Sequence, residues 1–104
     1  MSARFRLTRQ AAADLDAIWQ YIAKDNPAAA EKVEAEIVAC CERLAEHPHM
    51  GTKRPDITGA NVRFWAVTKY PNFIIVYRPE GPPLVVVAVL HAKRELGKVL
   101  GERA

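Results

Sequence analysis

The side chains with chemical potential fall into three groups: Arg63 and Arg78 in apolar, strand-like stretches, His91-Ala92-Lys93-Arg94 behind a run of apolar residues, and Lys53-Arg54 in a turn-rich segment. Cleaving RNA needs no protein nucleophile, because a ribose 2′-OH attacks the neighbouring phosphate. It needs a base, an acid and cations around that phosphate. Arg63, Arg78 and His91 are residue types that meet this need, with Lys53 and Arg54 within reach on a loop. The same residues have structural readings. An imidazole at a strand exit can bond a backbone carbonyl and hold the end of a sheet, which is the expectation for His91. Arg63 and Arg78 can equally pair with helix carboxylates such as Asp14 or Asp16, or with carboxylates of a partner.

Other chemistries find little support. His47-Pro48-His49 has no Cys or carboxylate at ligand spacing, so a helix-ending loop is expected there rather than a metal site. No P-loop, GxGxxG or Ser-His-Asp pattern is present, and no cofactor is expected. Trp19 and Trp65 could stack on bases, but their positions on an apolar helix stripe and a strand favour core packing. Tyr21 falls off that stripe, which suits a surface or an interface.

These groups are carried by elements that periodicity and turn chemistry mark. Arg4 to Leu7 is a short strand. Thr8 then caps a helix running to about Lys24, with Leu15, Ile18, Trp19 and Ile22 at helical spacing. Asn26 caps a second helix whose first residue is Pro27, where the missing N–H costs nothing, and Val33, Ile37, Cys40, Cys41 and Leu44 mark its apolar face until Pro48 ends it. So short a turn between two amphipathic helices predicts an antiparallel hairpin. His49 to Ala60 reads as a surface loop. Strands are expected at Val62 to Val67, Phe73 to Arg78 and Leu84 to Leu90, separated by Tyr70-Pro71-Asn72 and Pro79-Glu80-Gly81-Pro82-Pro83. Leu84 to Leu90 is seven consecutive apolar residues, too few to span a bilayer and suited to a strand buried on both faces. A short helical tail is expected over Lys93 to Leu100.

At 104 residues, half of them apolar, the chain is one domain, residues 1–104, with enough length to bury a core. No apolar stretch of signal-peptide length follows the basic start, so the cytoplasm is the expected compartment, with no membrane association. Adjacent cysteines in a helix diverge, and Cys40 and Cys41 are expected to be reduced core residues. The net charge of +3 conceals an asymmetry: Gln10 to His47 carries eight acids against three cations, whereas Pro48 onward carries nine cations against four acids. Such a basic half suggests an anionic partner, nucleic acid or acidic protein. No helix is basic along its length, so direct DNA binding is not the expectation.

Local patterns extend this reading over nearly the whole chain. They are A-x-x-D-L-x-x-I-x-x-Y-I at Ala11 to Ile22, N-P-x-x-A at Asn26 to Ala30, L-x-x-x-P-x-x-G at Leu44 to Gly51, V-R at Val62-Arg63, I-V-Y-R at Ile75 to Arg78 and V-L-H-A-x-R at Val89 to Arg94. In this order and spacing they resemble the ParE/RelE superfamily of bacterial toxins from type II toxin-antitoxin pairs. The long hairpin and the V-L-H-A-x-R ending look more like the ParE branch. The resemblance implies an α+β fold: an N-terminal strand, an antiparallel helical hairpin packed on a three-stranded antiparallel meander, and a short basic C-terminal tail. It also implies a growth-inhibiting toxin that binds DNA gyrase and is neutralised by a ParD-like antitoxin in a hetero-oligomer. Arg63, Arg78, Lys93 and Arg94 are then the expected partner contacts, with no catalytic residue favoured. Two alternatives stay open: a ribosome-dependent mRNA endonuclease of RelE type using Arg63, Arg78 and His91, and a non-toxic relative that retains only antitoxin binding.

Overall fold

The structure, a computed structural model, describes residues 4–92. The expected tail helix from Lys93 to Leu100, with Lys93 and Arg94, lies outside the described residues. Among the described residues six elements follow one another: β1 (Phe5–Leu7), α1 (Arg9–Ala23), α2 (Pro27–Glu46), β2 (Arg63–Val67), β3 (Tyr70–Arg78) and β4 (Leu84–His91). The helix starts follow from local chemistry. Thr8 Oγ1 accepts from the Ala11 N–H at 3.1 Å and Asn26 Oδ1 from the Ala29 N–H at 3.0 Å, each satisfying a donor that the first helical turn leaves over.

Among the described residues the sheet has four strands in the order β1-β4-β3-β2. The expected meander is present as the antiparallel pairs β2–β3 and β3–β4, and the N-terminal strand joins it by lying parallel to β4, with Phe5, Arg6 and Leu7 opposite Leu84, Val85 and Val86. A parallel pair needs a long crossover, which the helical hairpin supplies. Ala11, Leu15, Ile18 and Ile22 of α1 and Val33, Ile37, Cys40, Cys41 and Leu44 of α2 pack with Val67, Ile75, Tyr77, Leu84, Val86 and Val89 on one sheet face. Both cysteines are free and buried. The opposite face buries Val62, Phe64, Val76, Val87, Ala88 and Leu90, so β4 is enclosed on both sides as its composition implied.

Several expectations are corrected. Tyr70-Pro71-Asn72 is strand, not turn; the β2–β3 turn is Thr68-Lys69. Pro71 is tolerated because β3 bulges there: Ala66 pairs with Ile74 while Val67 pairs with Tyr70, so Pro71, which has no N–H, owes no bond to β2. The segment after α2 is more than a surface loop. Thr52 exchanges backbone bonds of 3.0 and 2.8 Å with Phe64, and Ile57 and Ala60 pack on the second sheet face. Trp19 is half-buried and belongs to neither apolar cluster, because the α1 stripe passes through Ile18 and Ile22 beside it. Trp65 sits on the edge strand β2, half-buried against the helix-side core.

Candidate functional site

A bulge in β4 decides where the last strand aims its side chains. Tyr77 pairs with Val86 and Val76 with Ala88, so Val87 is an extra residue. Val87 and Ala88 both face the second cluster, after which Val89 returns to the helix side. His91, two residues on, follows Val89 onto that side. Strict alternation from Leu84 would have turned both residues away.

His91 thereby lines a groove of about 740 Å³ between the helical hairpin and the sheet. Its walls are Asp14, Ala17, Ile18, Tyr21 and Ile22 of α1, Val33 of α2, Tyr70, Asn72 and Phe73 of β3, and Val89 and His91 of β4. The His91 ring meets Phe73 edge-on, with centroids 5.8 Å apart and planes at 87°. Asp14 satisfies a donor at the sheet's edge. Because β1 ends at Leu7 opposite Val86, β4 loses its outer neighbour there, and the Val89 N–H donates to Asp14 Oδ2 at 3.0 Å. Tyr21 stands at the rim, 66% exposed. The groove is therefore largely apolar, with an imidazole, a carboxylate and two phenols at its edges, a composition suited to an amphipathic segment.

A second polar cluster lies at the other end of the sheet. Tyr77 is fully buried; its hydroxyl donates to the Pro48 carbonyl at 2.7 Å and accepts from the Gly51 N–H at 2.9 Å. Burial pushes the Tyr77 phenol above its usual value, opposed by the Gly51 N–H bond and the nearby Arg63 charge. Arg63 donates to the Gly51 carbonyl at 2.7 Å. Gly51 has no room for a side chain, since a Cβ would come within 2.6 Å of Tyr77 Oη and 2.9 Å of the Phe64 carbonyl oxygen. Tyr77, Gly51 and Arg63 together pin the segment after α2 to the sheet.

The residues singled out from the sequence are thus dispersed. Arg63 opposes Tyr77, whereas His91 opposes Phe73, four residues and roughly 13 Å further along β3. Arg78 is exposed on the opposite sheet face, beside Val85. Lys53 shares a shallow hollow with Arg63 and Glu80, while Arg54 forks onto Asp56 with bonds of 3.0 and 2.8 Å. No single phosphate could be held by Arg63, Arg78 and His91 together. Asp14, offered by the sequence as a partner for these arginines, instead faces the outer edge of β4, two strands from Arg63. Among the described residues no cluster of three or more His, Cys, Asp or Glu could hold a metal, and no helix is long and apolar enough to cross a membrane.

A small α+β domain in which a helical hairpin covers one face of a mixed four-stranded sheet, with a groove where hairpin and sheet diverge, is a toxin fold of type II toxin-antitoxin systems. The family profile described as ParE toxin of type II toxin-antitoxin system, parDE, matches residues 5–96, and the chain belongs to that family. It is 36% identical over 97 residues to Putative toxin Y4kP of Sinorhizobium fredii (strain NBRC 101917 / NGR234), covering 93% of this chain and 96% of that protein. It also superposes on a chain of the solved chromosomal ParDE TA system from P. aeruginosa with a TM-score of 0.70 at 27% identity, over 88% of this chain and all of the other.

Proposed function

We propose that this chain inhibits growth by binding DNA gyrase in the cytoplasm and that a ParD-like antitoxin neutralises it by seating an amphipathic segment in the groove between α1 and the sheet. The observation that carries a binding role is the dispersal of Arg63, Arg78 and His91 over two faces and two ends of the sheet, with the Arg63 side chain bonded to Gly51. General acid-base cleavage needs its groups around one phosphate. The groove, by contrast, offers apolar floor and a protruding aromatic rim residue, the features of a protein-binding hot spot. An antitoxin segment that folds only on binding gives a tight yet proteolytically releasable lock.

A supercoiling assay tests the target. Purified protein added to gyrase and relaxed plasmid should block supercoiling or trap cleaved DNA, and added antitoxin should restore activity. Undiminished supercoiling at a large molar excess of toxin sinks the gyrase assignment.

A further inference from the structure

Among the described residues β1 has one strand neighbour, β4, so within residues 4–92 its other side is an edge of the sheet. Leu84 N–H donates to the Arg4 carbonyl at 2.7 Å and Thr8 N–H to the Val86 carbonyl at 3.0 Å. In a parallel ladder these bonds fix the alternation, so Arg4, Arg6 and Thr8 turn their backbone groups to β4 while Phe5 and Leu7 turn theirs outward. Among the described residues the outward N–H and C=O of Phe5 and Leu7 have no backbone partner and form a template for a further strand. Their half-buried side chains pack on the helix side of the sheet. Arg6 projects from the other face, exposed, with no ion pair among the described residues, and Arg9 is likewise exposed and without an ion pair just beyond.

From this edge we propose a second docking surface, separate from the groove: β1 accepts an extended acidic segment of a partner protein as a fifth strand. The required pattern follows from the two faces. Residues of the added strand that lie beside Phe5 and Leu7 are apolar, and those that lie beside Arg6 are Asp or Glu. A second copy of this chain does not fit, because antiparallel pairing of two β1 strands about Arg6 sets guanidinium against guanidinium. Arginine on an edge also discourages indiscriminate pairing, and here it leaves the edge open to one sign of charge. Arg78, on the far side of Val85 in the same row and on the same face, adds to the positive field without reaching the added strand.

The probe is a capped hexapeptide of alternating glutamate and valine, with a lysine-valine hexapeptide as control. Amide exchange is read by NMR on the isotope-labelled full chain. Saturating acidic peptide should slow exchange at Phe5 and Leu7 at least tenfold and leave Arg6, already bonded to β4, unchanged. The lysine peptide should give no protection. Arg6→Glu, on an exposed side chain, should weaken the acidic peptide at least tenfold and admit the lysine peptide, with Arg6→Gln intermediate and all three proteins melting together. Protection equal with both peptides, protection that rises with protein concentration alone, or no protection at any peptide concentration would overturn the proposal. None of these outcomes bears on the groove, since the affected amides are not part of it.

Discussion

The Val89 N–H donates to Asp14 Oδ2 at 3.0 Å, a bond that joins residues 75 positions apart and docks α1 on the stretch of β4 beyond the end of β1. It stands where β1 has ended and the strand would otherwise present an unpaired donor next to a largely apolar groove. Asp14→Ala leaves that donor without its acceptor and should cost about 1–3 kcal/mol. Asp14→Asn keeps an acceptor oxygen and should recover most of the loss. Urea unfolding of the three proteins measures both.

Removal of the Tyr77 hydroxyl should also act through stability. In Tyr77→Phe the Pro48 carbonyl and Gly51 N–H lose their partner, for a cost of about 1–3 kcal/mol. Gly51→Ala should be worse, and Tyr77→Phe should not rescue it, because the added Cβ still meets the Phe64 carbonyl oxygen at 2.9 Å. Thermal melts of the single and double variants separate these outcomes.

Alkaline pH should unfold the protein progressively. Burial, with smaller contributions from Cys40 and Glu42, pushes the Cys41 thiol from 9.0 up to about 12. A raised pKa means that the folded state holds its proton longer than the unfolded chain. The contribution is therefore complete below pH 9 and is lost as pH rises towards 12, at about 1.4 kcal/mol per pH unit. Tyr77, also shifted upward, adds loss in the same direction above the ordinary tyrosine range. Unfolding free energy measured against pH in Cys41→Ala should show a shallower slope from pH 9.

Much of this architecture was legible in the sequence because local chemistry marked it. Thr8, Asn26 and Pro27 announced the helix starts, and the apolar stripe of α2 is buried residue for residue. The misreadings have physical reasons. Pro71 reads as a turn unless the bulge opposite Val67 is known. The Val87 bulge leaves no trace in L-V-V-V-A-V-L, since a uniformly apolar run has no alternation to interrupt, and it alone turns His91 towards the groove. Asp14 reads from the sequence as a possible partner for Arg63 or Arg78, whereas its role at Val89 depends on β1 pairing with β4, a contact between distant parts of the chain.

Antitoxin affinity should depend on the groove rim. Tyr21 is exposed and lines the groove, so Tyr21→Ala should leave the melting temperature within about 2 °C, as expected of a surface change. It should weaken antitoxin binding by at least about tenfold, the loss of an aromatic anchor. Isothermal titration with a ParD-like antitoxin that neutralises the chain provides the measurement.

The most direct test of binding against catalysis is primer extension on translated messages after the chain is induced without an antitoxin. Growth should stop with no new 5′ ends in those messages, because Arg63, Arg78 and His91 do not converge on one phosphate. New 5′ ends that vanish in a folded His91→Ala variant would contradict the account.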